Sequence, residues 1–261
     1  MFNRIVLSAL TYFAMPLVFA NGLFQSVSGD VRSGTVGALF VATSVNSRIV
    51  EGTTVTTGPN SRATIRLDDG HIVVLAENSE FVLDAYRFDR AAALSNNIVV
   101  QLIKGALRSF SGLIGGKNPG QFALKTATAT IGIRGTDFSV MLVNPVYVSV
   151  SEGFVDLTNA AGSFQAGAGT SAIVNSADTL ASSISVTALP PQVAATFQQL
   201  NSVVIAAGGA GATGATVSAT GSGLSAGAIV GMAVAAAAVA TVVGGKSAAG
   251  VAGTTGTVSA R

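Results

Sequence analysis

Residues 62–67 read Arg-Ala-Thr-Ile-Arg-Leu, polar and apolar side chains alternating without a break. Successive side chains of a strand point to opposite faces, so Ala63, Ile65 and Leu67 share one side, which predicts a strand with one face in a core. Asp68-Asp69-Gly70 follows, a turn in which glycine can take a positive φ, and His71-Ile72-Val73-Val74-Leu75 resumes the apolar run. The two runs predict a hairpin. The rhythm recurs from residue 30 to residue 175. Residues 80–87 put Phe81, Leu83 and Ala85 on one face, residues 121–125 alternate, and residues 146–150 align three valines. Residues 97–103 are richer in branched side chains and are predicted to be buried on both faces. Residues 154–157 and 164–165 complete the series. Turn residues stand between the runs at Gly58-Pro59-Asn60, Asn118-Pro119-Gly120 and Ala161-Gly162. Short strands about 8–12 residues apart, with no helical period, predict an all-β domain, whether sandwich, barrel or solenoid.

Charge marks where this domain stops. All twelve acidic residues lie between Asp30 and Asp178, and residues 179–245 carry no charge at all. After Pro190-Pro191 the period changes. Val193, Phe197, Leu200 and Val204 fall on one stripe of a helix, predicted over residues 190–207, packed on the β-domain and ended by Gly208-Gly209. Residues 208–223 are small and polar, the composition of a flexible linker. Residues 224–243 form an uncharged Ala/Gly-rich segment as long as a membrane span, predicted to be a tail helix. Gly223, Gly227 and Gly231 repeat at the spacing that lets helices approach closely. Alanine content, Ser225 and Thr241 leave its hydropathy marginal, so membrane contact and self-association both fit. Residues 244–261 are a polar tail of small residues.

At the other end, Arg4, the apolar run of residues 5–18 and Val18-Phe19-Ala20 have the layout of a secretory signal, with cleavage expected after Ala20. The chain is therefore expected to be exported, to the periplasm or the cell envelope.

The chemistry-bearing residue types are sparse. Cysteine is absent, which excludes disulfides and thiolate chemistry. His71 is the single histidine, and no Gly-x-Ser-x-Gly elbow is present. His71 with Asp68 and Asp69 falls short of the six to eight oxygens a hard cation takes, so a plain turn is expected there. Glu77 with Glu80 and Asp84 with Asp89, near Arg87 and Arg90, read as surface ion pairs. Gly112-Leu113-Ile114-Gly115-Gly116-Lys117 lacks the spacing of a phosphate-binding loop and reads as a turn. No catalytic, cofactor or metal residue and no small-molecule substrate is expected. Fourteen basic against twelve acidic residues, one basic fewer once Arg4 leaves with the signal, supply no surface for nucleic acid.

One segment carries more information. Residues 126–140 read Thr-Ala-Thr-Ala-Thr-Ile-Gly-Ile-Arg-Gly-Thr-Asp-Phe-Ser-Val. Gly132 and Gly135 bracket Ile133-Arg134 and predict close backbone approach or a bulge. Arg134 and Asp137 are spaced to pair across that turn. Gly132, Arg134, Gly135, Thr136 and Asp137 are accordingly the candidate interaction or structural motif. The run Thr130-Ile131-Gly132-Ile133-Arg134-Gly135-Thr136-Asp137-Phe138 resembles the signature of the FecR family of periplasmic domains. Gly52 and residues 55–62 with Asp69-Gly70, residues 104–108 and 112–115, and Val148-Ser149-Val150-Ser151-Glu152-Gly153 with Gly167-Ala168-Gly169 resemble further parts of it.

The resemblance spans about residues 30–175. It implies an all-β, solenoid- or roll-like domain that binds other proteins and is not an enzyme. The best-known members hold a sigma factor through an N-terminal cytoplasmic segment. Here a signal peptide is expected in that place, so the anti-sigma activity is not expected to carry over. The expected partner is an envelope protein or a second copy of the chain. A glycan-binding envelope protein, with Tyr86, Tyr147 and nearby phenylalanines stacking on sugar rings, is the alternative.

Overall fold

A computed structural model describes residues 21–203 apart from residues 36, 92–94 and 118. The chain divides into two units, Met1–Ala212 and Thr213–Arg261, and every described residue belongs to the first. The expected signal (1–20), linker (208–223), hydrophobic segment (224–243) with Gly223, Gly227 and Gly231, and tail (244–261) lie outside the described residues.

The described part is all-β with two short α-helices. In chain order the strands are β1 (Gly22–Ser28), β2 (Val31–Thr35), β3 (Val41–Ala42), β4 (Arg48–Ile49), β5 (Thr53–Thr57), β6 (Arg62–Leu67), β7 (Ile72–Leu75), β8 (Glu80–Arg87) and β9 (Asn97–Phe110). Helix α1 (Leu113–Lys117) follows, and then β10 (Phe122–Lys125), β11 (Thr130–Leu142), β12 (Val146–Asn159), β13 (Gly162–Gly167), β14 (Ser171–Val174), β15 (Ser182–Ile184) and helix α2 (Pro191–Asn201). The fifteen strands form one hydrogen-bonded network, antiparallel at every pairing except β9 with β10.

Three long strands organise it by changing neighbours along their length. The first half of β9 pairs with β8 and β10, and residues 105–110 pair with β7 and β11. The first residues of β11 pair with β10, whereas residues 137–142 pair with β9. Strand β12 pairs with β14 through residues 146–149 and with β13 through residues 154–159. Each strand has a positive-φ glycine where the partners change: Gly105, Gly135 and Gly153.

The inward side chains of both halves meet in one core, which includes Phe24, Ile65, Phe81, Leu102, Leu124, Phe138 and Val148. A second cluster covers the outside of β7, β9 and β12. There Ile72, Val74, Ala106 and Tyr147 meet Leu189 and the α2 residues Val193, Phe197 and Leu200. This explains the unbroken apolar run of β7, whose Val73 and Leu75 face the main core while Ile72 and Val74 face the helix. At 11 residues α2 is too short to be stable alone in water, so its helicity depends on this packing. Pro191 opens it, where the missing N–H costs nothing. It closes at Asn201, short of Gly208.

Three expectations need correcting here. Ala85 is not the third inward residue of β8, because Asp84 is an extra residue in the register with β9 and Tyr86 takes the inward place opposite Ile98. Residues 97–103 are not buried on both faces. Ile98, Val100 and Leu102 are buried, while among the described residues the outer side of that half of β9 is only partly covered at Asn97, Val99 and Gln101 and Ile103 is half exposed. Residues 113–117 make one helical turn rather than an irregular one. Among the described residues, no helix is long and apolar enough to cross a membrane.

Candidate functional site

The segment 130–138 lies on β11, where that strand leaves β10 for β9. Ile131 and Ile133 point into the core, and so do Phe138 and Val140, although strict alternation from Ile133 would have put Asp137 inside. The register with β12 slips between Arg134 and Asp137 and again before Phe138. This bulge turns the strand and exchanges its faces. Gly135 supplies the left-handed residue, at φ 59°. Thr136 anchors the bulge: its N–H donates to Ser111 Oγ at 2.8 Å, and its carbonyl accepts from the Ser111 N–H at 2.9 Å. Gly132 plays no comparable part. It sits in regular register opposite Asp156, and a Cβ there would meet nothing closer than 3.9 Å.

The bulge also separates the two charges expected to pair. Arg134 is exposed and its Nε reaches Asp156 Oδ2 at 3.3 Å. Asp156 accepts a second bond from Gln165 Nε2 at 2.8 Å. Across from Arg134 lies Phe154, half exposed and resting against Gly167. Asp137, on the other face, is nearly buried and binds Arg108 through a fork, Nε to Oδ1 at 2.8 Å and Nη2 to Oδ2 at 2.6 Å. Arg108 Nη1 then donates to the carbonyls of Leu200 and Asn201 at 3.2 and 3.1 Å. These are among the last carbonyls of α2, and that of Leu200 also accepts from the Val203 N–H at 3.3 Å. The guanidinium also lies 4.3 Å from the Phe110 ring centroid. Thus Asp137 orients a cation that binds carbonyls at the C-terminus of α2.

Sequence reasoning missed a buried polar cluster beside this corner. Asp69 is buried in the turn between β6 and β7. Its N–H donates to Tyr86 Oη at 2.9 Å, and its Oδ1 accepts from the His71 N–H at 3.1 Å and from Tyr86 Oη at 3.3 Å. Its carbonyl accepts from the Leu113 N–H at 2.9 Å. Gly112 passes so close that a Cβ would meet Asp69 Oδ2 at 2.5 Å. Burial, and next the Asp69 carboxylate, push the Tyr86 hydroxyl far above its ordinary value. His71 is fully buried, its Nε2 bonded to Ser109 Oγ at 2.9 Å, its ring stacked on Phe122 and its Nδ1 without a partner among the described residues. Burial lowers its pKa, against the pull of Asp69. Residue types alone do not reveal this cluster, because Tyr86 faces it only through the β8 bulge.

Elsewhere Glu80 pairs with Lys104 at 3.6 Å and Asp84 with Lys125 at 3.3 Å, so lysines of β9 and β10 take the place expected for Arg87 and Arg90. Among the described residues, no three acidic or histidine side chains gather as a metal site would need.

Residues 53–156 match the family model described as FecR protein. This stretch is a FecR domain. It begins at β5 and ends within β12, so it contains the whole of β9 and β11 and the bulge at Gly135. Strands flanking the FecR domain complete its sheet: β1 pairs with β6, β2 with β5, and β13 and β14 with β12. Two crystal structures of a proposed anti-sigma factor from Parabacteroides distasonis are similar to the chain, at 18% and 16% identity and a TM-score of 0.41 each. In both, the similarity covers 50% of this chain and 58% of the other. No curated protein matches the chain.

Proposed function

We propose that the chain is a non-enzymatic envelope protein whose FecR domain binds another protein, in signalling or assembly, with the Gly135 corner as the contact locus. The observation that carries this reading is the split made by the bulge. Arg134 is presented to solvent beside the half-exposed Phe154, while Thr136, Asp137 and Arg108 fix the backbone that presents it. An arginine and an aromatic ring on a rigid support are the residue types that most often anchor protein interfaces. The family match supports a regulatory role over catalysis. The changes of partner along β9, β11 and β12 support a roll-like description of the domain. Export through residues 1–20, and membrane contact or self-association through residues 224–243 with Gly223, Gly227 and Gly231, belong to the same proposal.

The test is affinity isolation of the full chain from its native envelope, with Arg134→Glu as the comparison. The reading expects a discrete protein partner retained by the wild type and lost by the folded variant. A partner set identical in both would overturn the choice of locus, and no protein partner in either would overturn the reading.

A second reading has its own observation. Phe154 lies against Gly167 next to the hydrogen-bonded row of Arg134, Asp156 and Gln165, an aromatic platform flanked by planar polar groups that suits a sugar ring. Retention on peptidoglycan or a glycan array, lost in Phe154→Ala, would favour it.

A further inference from the structure

Two corners of the sheet are built alike. At the Gly135 corner the Thr136 N–H donates to Ser111 Oγ at 2.8 Å, and the Thr136 carbonyl accepts from the Ser111 N–H at 2.9 Å and from Ser111 Oγ at 3.1 Å. At the Gly105 corner of β9 the Ala106 N–H donates to Ser79 Oγ at 3.0 Å, and the Ala106 carbonyl accepts from the Ala76 N–H at 2.9 Å and from Ser79 Oγ at 3.0 Å. Each glycine has a positive φ, 59° at Gly135 and 84° at Gly105. Each corner also exchanges the faces of its strand. Leu102 and Leu107 both lie in the core although an odd spacing separates them, and so do Ile133 and Phe138.

A strand that bends at a bulge gives up part of its regular ladder, and its buried N–H and carbonyl need other partners. A serine hydroxyl can take from the one and give to the other, so a single side chain holds both sides of a peptide plane. The two serines are themselves fixed in different ways. Ser79 is fixed from β5, its N–H donating to Thr57 Oγ1 at 2.9 Å and its carbonyl accepting from the Thr57 N–H at 2.9 Å.

Ser111 stands between the end of β9 and the start of α1 and is fixed from the buried Asp69 cluster. The Leu113 N–H donates to the Asp69 carbonyl at 2.9 Å, and the Ile114 N–H to Asp69 Oδ2 at 3.4 Å. Between them and Ser111 lies Gly112, packed so closely that a Cβ would fall on the His71 backbone nitrogen and on Asp69 Oδ2. Asp69 is in turn held by Tyr86. A buried carboxylate is costly unless it is well bonded, and here its bonds place the Ser111 hydroxyl beneath Thr136. Thr136 is separated from Arg134 by Gly135 alone, so what holds Thr136 sets the direction in which Arg134 leaves the sheet.

We propose that Ser111 is the positioning residue of the contact at the Gly135 corner, its hydroxyl fixing the backbone from which Arg134 is presented. The role rests on that corner being the contact locus. Ser79 does the same for the Gly105 corner, where it serves the fold alone, and it supplies a matched comparison.

Ser111→Ala and Ser79→Ala each remove one hydroxyl from an equivalent corner, so a similar fall in the Tm of the full-length protein is expected from both. Hydrogen exchange separates them. The Thr136 amide should exchange roughly fivefold faster in Ser111→Ala, and at the wild-type rate in Ser79→Ala and in Ser111→Thr, which keeps the hydroxyl. Partner contact separates them again. A photo-crosslinking amino acid at residue 154, in the native envelope, is expected to lose its protein adduct severalfold in Ser111→Ala and to keep it in Ser79→Ala and Ser111→Thr. Equal losses in Ser111→Ala and Ser79→Ala would overturn the proposal, because lowered stability would account for both. Unchanged Thr136 exchange, or an undiminished adduct in Ser111→Ala, would also overturn it. No protein adduct at 154 in the wild type, with the exchange difference intact, would overturn the corner as a contact and this role with it.

Discussion

Gly153 of β12 lies against the carbonyl of Gly135 on β11, and a Cβ on Gly153 would fall on that oxygen. Both residues have positive φ, at 74° and 59°, so the two strands bend together. Gly153→Ala therefore meets a steric and a conformational penalty at once. A loss of roughly 2–4 kcal/mol is expected, seen as a lower Tm in thermal unfolding followed by circular dichroism. Gly132→Ala, with open space at its Cβ, should cost far less.

Arg108 and Asp137 are each about nine-tenths buried and hold one another at two points. Asp137→Asn leaves the guanidinium without its counter-charge, and a cost of roughly 3 kcal/mol is expected in urea unfolding. Arg134→Ala, at an exposed pair, is expected to cost about 0.5 kcal/mol or less. Because Arg108 also binds the last carbonyls of α2, hydrogen exchange in Asp137→Asn should quicken over residues 193–201 before it does in β7.

The pH dependence follows from His71. Its pKa in the folded chain lies below the ordinary 6.5, so the unfolded chain takes up the proton first. This contribution to stability is complete above about pH 6.5 and is lost as the pH falls from there through the lowered folded value. Asp69 in the preceding turn, Ser109 on β9 and Phe122 on β10 surround the ring, and Asp69 narrows the window by favouring the cation. His71→Gln keeps a polar atom near Ser109 without the titration. Its Tm should therefore fall less steeply with acidification, and an equal slope in both proteins would assign the effect to another group.

Tyr86 ties the β6–β7 turn to β8. Tyr86→Phe leaves the Asp69 N–H and carboxylate short of a buried partner, for an expected loss of about 1–3 kcal/mol in chemical unfolding.

Much of the fold can be read from the alternation in residues 62–67, 121–125 and 146–150, because a period of two leaves little choice but a half-buried strand. The α2 stripe was equally legible at Val193, Phe197 and Leu200. What escaped were the bulges. Tyr86 rather than Ala85 faces inward, and Asp137 turns away from Arg134, because each bulge is fixed by a partner strand distant in sequence. The pairing of Arg108 with Asp137 was hidden for the same reason, although both lie in segments the sequence had singled out. Residues 97–103 misled because branched side chains favour strands whether or not their outer face is covered.

We propose the Gly135 corner as a protein contact. Its most direct test is a photo-crosslinking amino acid placed singly at residues 134, 154 and 54 of the full chain in its native envelope. Positions 134 and 154 flank the corner, and Thr54 lies on β5, away from it in the strand order. A protein contact at this corner predicts a discrete protein adduct at 134 and 154 and none at 54. Glycan adducts alone, or the same adducts at all three positions, would contradict it.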